Sequence, residues 1–253
     1  MKIVSWNVNS VRARLARLLA WLEKHEPDLL CLQETKVVDD DFPRLELEGL
    51  GYHLETFGQK TYNGVAFLSR QAPADVIRGL PGTREEARLI AGTFGDLRVV
   101  NAYVPNGSEV GSEKYTYKLE WLDRFREFLE RDCAPEEPLL LCGDFNIAPE
   151  DRDVHDPERW RGKVLCSDPE RGKFRALVEW GLVDALRLGT EAAGIYTWWD
   201  YRLSGFRRDW GLRIDHFLVT RPLIPRVRDV SVDREERGGE KPSDHAPLIA
   251  RLD

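Results

Sequence analysis

Two short apolar runs constrain this chain most: LLCLQE at 29–34 and PLLLCGDFN at 138–146. Neither alternates apolar with polar residues, so neither reads as a strand with one wet face. Strands buried on both sides need cover, and the sequence holds helices to supply it. Leu15, Leu18, Leu19 and Leu22 repeat at helical spacing within 14–26. Trp121, Leu122, Phe125, Phe128 and Leu129 form one apolar face within 113–132. A third helix is expected at 172–181, closed by Gly181. Further strands are expected at 2–8, 64–69, 97–105, 195–200, 213–220 and 246–252. No Gly/Ser linker, low-complexity tract or fixed-period repeat divides residues 1–253. One α/β domain of sheets covered by helices is the expectation.

The apolar runs share an ending. Residues 3–7 stop at Asn7, LLCLQE at Glu34, and PLLLCGDFN at Asp144 and Asn146. The run through 97–105 reaches Tyr103 and Asn106, and LRID carries Asp215. One strand-end Asp or Asn is usually a turn former or a helix cap. Five such endings together suggest a site mounted on the rim of a rigid sheet. Oxygen donors without a Cys or His pair favour a hard cation such as Mg²⁺ over zinc. Such a cation most often serves phosphate chemistry.

KPSDHAP at 241–247 places Ser243, Asp244 and His245 side by side. Neighbours on an extended segment point to opposite faces, so these three do not converge as a nucleophilic triad. His245 is better served by a distant carboxylate, and Asp215 is the leading partner. Ser243 is then a turn or hydrogen-bonding residue.

Net charge is −7, which argues against nucleic-acid binding by bulk charge and leaves room for a local basic face. Arginines cluster at Arg12, Arg14 and Arg17, and again at Arg202, Arg207, Arg208 and Arg213. The four cysteines lack CxxC spacing and read as reduced thiols of a cytoplasmic protein. No charged leader precedes an apolar stretch and no run is long enough to span a bilayer, so no membrane association is expected.

SWNVNSVRAR, LCLQETK, NAYVPNG, GDFNIAP, TWWDYR, GLRIDHFLV and EKPSDHAPL occur in this order from residue 5 onward. Together they resemble the exonuclease III family of apurinic/apyrimidinic endonucleases over essentially the whole chain. The resemblance implies a four-layer α/β sandwich like DNase I, two packed mixed β-sheets flanked by helices. It implies Mg²⁺, with Mn²⁺ as a substitute, and hydrolysis of double-stranded DNA at abasic sites and 3′ ends, by a monomer. Glu34 becomes the principal metal ligand with Asn7 and Asp244, and Asp144, Asn146 and His245 belong to the same metal-proximal set. Asp144 would activate water, Asn146 would hold the phosphate or that water, and His245 oriented by Asp215 would stabilise a phosphate oxygen. Tyr103 would meet the phosphate or the leaving oxygen, and Trp198 the abasic sugar. Arg12, Lys36, Asn106, Arg207, Arg208, Leu212 and Lys241 are expected at the DNA, as are Arg14 and Arg213. Ser10 replaces the family's usual glycine, which is tolerated if its φ is negative.

Two other readings fit parts of the pattern. A relative acting on a different phosphoester would keep the metal site. A catalytically dead binding protein would have lost it, yet Glu34, Asp144, Asn146, Asp215, Asp244 and His245 are all in place. The segment 150–170 has little regular patterning and is expected to rim the substrate groove, where it would bear on which substrate is preferred.

Overall fold

The computed structural model describes residues 1–253. β1 (Lys2–Asn7) and β2 (Leu29–Gln33) lie parallel, joined by the crossover helix α1 (Leu15–His25). Both strands alternate between two apolar environments. Val4, Trp6, Leu30 and Leu32 pack outward against Leu18, Trp21 and Leu22 of α1. Ile3, Leu29 and Cys31 point inward, against a second sheet. The lack of polar alternation at 29–34 therefore reflects apolar cover on each face.

The remaining strands, in chain order, begin with β3 (His53–Phe57), β4 (Val65–Ser69), β5 (Ala74–Arg78), β6 (Leu89–Phe94) and β7 (Leu97–Tyr103). They continue with β8 (Leu139–Asp144), β9 (Leu182–Asp184), β10 (Trp198–Trp199) and β11 (Gly211–Leu212). Last come β12 (Asp215–Thr220), β13 (Val227–Val232) and β14 (Leu248–Leu252). The first sheet runs β13-β14-β1-β2-β4-β3 and the second β5-β6-β7-β8-β12-β9, with β10 and β11 as a separate two-stranded ribbon. Each six-stranded sheet has one parallel pair at its centre, β1–β2 or β7–β8, and antiparallel neighbours.

The other helices are α2 (Arg44–Gly49), α3 (Glu113–Asp132), α4 (Pro157–Trp160), α5 (Asp168–Gly181) and α6 (Ala185–Gly189). α3 and α5 cover the outer face of the second sheet, where Trp121, Phe125, Phe128, Phe174 and Leu177 meet Val100, Ala102, Leu139 and Leu141. The layers are therefore helix, sheet, sheet, helix, the expected four-layer sandwich. No helix is long and apolar enough to cross a membrane.

Several elements differ from the sequence expectations. The strand expected over 195–200 shrinks to Trp198–Trp199, and 213–220 becomes regular only at Asp215. The helix expected at 172–181 begins at Asp168 behind a capping box of Ser167 and Glu170 with Pro169 in the first turn. β3, β5, β6, β9, β11 and β13 lie outside the sequence expectations. β5 and β13 are sheet edges with partly exposed residues, so burial patterning is weak there. The β6–β7 hairpin carries a readable signal, a two-residue Gly95-Asp96 turn between paired Phe94 and Leu97.

Candidate active site

The register places the polar endings on one edge. β1 and β2 are parallel, so Asn7 and the Glu34 that follows Gln33 leave their sheet together. β14 is antiparallel to β1, which brings residues 243–245 to the same edge. In the second sheet Tyr103 is paired with Asp144, and Asp144 with Asp215. Two hydrogen bonds tie the rims of the two sheets together: Asn7 Nδ2 donates to Asp144 Oδ2 at 2.9 Å, and Tyr103 Oη donates to Glu34 Oε1 at 2.8 Å. Beneath this rim Gln33 donates to Ser5 and Asn101 in a buried polar layer between the sheets.

His245 lies at the centre, buried. Its Nδ1 is 2.9 Å from Asp215 Oδ2 and its Nε2 is 3.7 Å from Asp144 Oδ2. Burial alone would strip the ring of its proton, but the Asp215 and Asp144 carboxylates outweigh it and hold the pKa up at about 10. Asp144 is also pushed up, from the ordinary carboxyl range to about 7, by burial first and by the nearby Asp215 charge, with His245 opposing. Asp144 Oδ1 also accepts the backbone N–H of Asn146 at 2.9 Å. Backbone N–H groups of Ile214 and Asp215 converge on Thr197 Oγ1, which fixes the start of β12. Ser243 is wholly buried; its hydroxyl donates to Asn7 O and accepts from His245 N, the turn role expected of it.

The oxygen donors suited to a hard cation sit beside this pair. Glu34 Oε1 takes the Tyr103 hydroxyl and lies 3.4 Å from Lys36 Nζ. Asp244 accepts Asn9 Nδ2 and the Trp198 indole N–H, at 2.9 and 3.0 Å. Its carboxyl is held low: burial works against that, but the His245 charge and these two donors prevail. Tyr103 is pushed well above its ordinary value by burial and the Glu34 charge, so it is a phenol that donates, not a phenolate. Carboxylates with an asparagine amide and no thiolate fit Mg²⁺-type coordination. Asp144, Asp215 and His245 alone also have ligand atoms within 4.8 Å of one another. As an imidazolium flanked by two carboxylates His245 bears charge here, and a cation taken up by this trio would need its ring deprotonated. Asn146 is likewise engaged: its Oδ1 accepts from Asn106 Nδ2 and its Nδ2 donates to Val104 O.

Residues 4–245 match the Endonuclease/Exonuclease/phosphatase family. Exodeoxyribonuclease III of Haemophilus influenzae is 40% identical over 266 residues, covering all of both chains. The chain belongs to this family, in its exodeoxyribonuclease III branch. Among solved structures, the Neisseria 3′ phosphatase NExo bound to a product DNA hairpin superposes with a TM-score of 0.97. It is 46% identical and covers 100% of this chain and 99% of its own. An AP endonuclease from Archaeoglobus fulgidus gives 0.96 at 41% identity, covering 100% and 99%. The chain is thus a hydrolase of the nuclease kind, and metal dependence goes with its family and its acidic cluster.

The family's expected DNA residues fall into distinct groups here. Arg12, Asn106, Arg207, Arg208 and Lys241 are exposed, Arg12 pairing with Asp41 at 2.8 Å. Trp198 is half-buried beside Asp244. Lys36 turns inward, its Nζ 2.6 Å from Asn9 Oδ1 and close to Glu34, so its charge serves the acidic corner. Arg14 reaches Tyr201 Oη and Pro242 O, bracing the final motif. Two expectations are overturned. Leu212 is 0% exposed, packed with Val154, Leu165 and Ile214, and supports Trp198 across the β10–β11 ribbon. Arg213 is 1% exposed and pairs with Asp153 and Asp184, both at 2.7 Å. Ser10 does not meet the condition for easy tolerance: its φ is +89°, in the region that favours glycine.

Some residues around the site were not anticipated from sequence. Asn9 bonds both Asp244 and Lys36, yet reads in NVNS as one more turn residue. His216 follows Asp215 but faces away, bonding Ile147 O and Arg213. Burial, with the Arg213 charge, lowers its pKa to about 4, so it is a neutral ring.

Proposed function

We propose that this nuclease acts on double-stranded DNA in base excision repair, cutting on the 5′ side of abasic sites and clearing nucleotides and phosphates from 3′ ends. The observation that supports this most is the convergence of six strand ends on one His245–Asp144 pair, in a chain aligned end to end with an exodeoxyribonuclease III. Residues 1–253 serve as one catalytic domain, working as a monomer in the cytoplasm.

Asp144 takes the proton of the attacking water. The His245 imidazolium, held by Asp215, donates to a phosphate oxygen as negative charge develops there. Tyr103, as a neutral phenol, donates toward the phosphate or the departing 3′ oxygen. Asn146 holds the Asp144 carboxylate through its backbone N–H. Glu34, Asn7 and Asp244 would hold Mg²⁺ or Mn²⁺, which supplies charge neutralisation on the phosphoryl oxygens. Trp198 and the exposed Arg12, Arg207, Arg208 and Lys241 meet the DNA.

The test is a duplex oligonucleotide with one abasic analogue and a recessed 3′ end, incubated with Mg²⁺ or with EDTA. Incision and shortening are expected with Mg²⁺ only. Glu34→Ala is expected to raise the metal concentration needed, with partial rescue by excess Mn²⁺. Failure to cut either substrate in Mg²⁺ would sink the proposal. The likeness to a 3′ phosphatase gives 3′-phosphate removal a claim to be the principal activity, which relative rates on the three substrates will rank.

A further inference from the structure

Lys118 sits on α3, outside every motif of the site, and is 0% exposed. A buried ammonium is costly unless all three of its protons are taken up. Here they are: Nζ donates to Asn146 O at 2.6 Å, to Asn106 O at 3.1 Å, and to the Glu170 carboxylate. Glu170 is also 0% exposed, and its oxygens accept Leu165 N at 3.0 Å, Ser167 N at 3.1 Å and Ser167 Oγ at 2.5 Å. Tyr115, on α3, closes the network at Ser167 Oγ, 2.6 Å away.

Two of the three acceptors of Lys118 are main-chain carbonyls at the site. Asn106 and Asn146 bond one another through their side chains at 2.8 Å. Asn146 holds the left-handed backbone, φ +51°, that aims its N–H at Asp144. If the ion pair served only to join α3 to α5, apolar residues would do as well, as Phe125, Phe128, Phe174 and Leu177 do in the rest of the buried part of that contact.

We propose that Lys118 is a positioning residue for hydrolysis: by gripping the carbonyls of Asn106 and Asn146 it fixes the Asn106–Asn146 pair and the N–H that orients Asp144. Glu170 holds Lys118 in place and ties the same point to residues 165–167. Two hydrogen bonds connect ammonium to catalytic carboxylate, from Lys118 Nζ to the Asn146 main chain and from there to Asp144 Oδ1.

The inference rests on the nuclease reading, and the assay separates the two. Wild-type enzyme, Lys118→Met, and the paired change Lys118→Met with Glu170→Leu are compared in Mg²⁺ on the abasic duplex. The double variant leaves no unpaired buried charge, so it is expected to melt above Lys118→Met, though below wild type because Leu165 N, Ser167 N and Ser167 Oγ lose their acceptor. Its kcat is expected to fall roughly 10- to 100-fold, the scale of a displaced catalytic group, with KM for DNA changed less than about 3-fold. Lys118→Arg, which keeps the charge and two or more donors, is expected to recover part of kcat. A folded double variant with wild-type kcat overturns the inference, as does a loss confined to KM. A double variant that does not fold also counts against it, because the pair would then be a requirement of the fold. Wild-type enzyme that cuts nothing overturns the nuclease reading instead.

Discussion

Asp144 and His245 are adjacent, and their environments push each away from its ordinary protonation. Burial and the neighbouring Asp215 raise the Asp144 carboxyl to about 7, whereas two carboxylates overcome burial and hold His245 at about 10. A base must be deprotonated and the charge stabiliser protonated, so activity rises with pH as Asp144 loses its proton and falls only as His245 loses its own. The kcat/KM profile of the enzyme should therefore have its acid limb at or below pH 7, since a bound cation draws the Asp144 value down, and its alkaline limb near pH 10. Asp144→Asn should lose about 100-fold or more in kcat while an electrophoretic shift on DNA persists. An alkaline limb near 6.5, the free-histidine value, would contradict the Asp215–His245 pairing.

At the level of elements, the loop after β1 holds a serine, Ser10, in a backbone region that favours glycine. Ser10 donates its N–H to Glu34 O at 2.8 Å while holding φ at +89°. A left-handed backbone costs a non-glycine residue about 1–2 kcal/mol, and glycine returns part of that as unfolded-chain entropy. Ser10→Gly should therefore raise stability by up to about 1 kcal/mol, read as a higher urea midpoint at unchanged slope. The exchange also removes the Ser10 hydroxyl, which accepts Ala13 N at 3.3 Å. A lower midpoint would mean that this hydrogen bond outweighs backbone strain.

Across the whole molecule, a net charge of −7 sets how DNA can be held. Only a local face can supply attraction, and on the proposed function Arg207, Arg208 and Lys241, which are exposed, contribute to it while the buried Arg213 does not. Arg207→Ala with Arg208→Ala should weaken duplex binding uniformly across sequences and flatten the salt dependence by about one unit for each phosphate no longer neutralised. Arg213→Ala should act differently, lowering stability with the salt slope unchanged, because it strands the buried Asp153 and Asp184. Titrations in rising KCl check both, and an unchanged slope in the double variant would remove these arginines from the interface.

Sheets covered by helices, the three longest helices and the residue types at the rim can be read from the amino-acid sequence. Apolar periodicity and abrupt polar endings are local properties, and Asn7, Glu34, Tyr103, Asp144 and Asp215 are legible that way. Edge strands β5 and β13 were not, since half-exposed residues carry little pattern. Which charges stay exposed and which are buried is set by tertiary structure. Arg207 and Arg213 look alike in sequence, but Asp153 and Asp184 arrive from distant elements to enclose only the second. The same holds for Lys36, drawn inward by Asn9, and for Lys118, whose partners come from three separate segments. A buried charge is stable only where the fold brings enough partners together, and that convergence is a property of register and packing, not of neighbours along the chain.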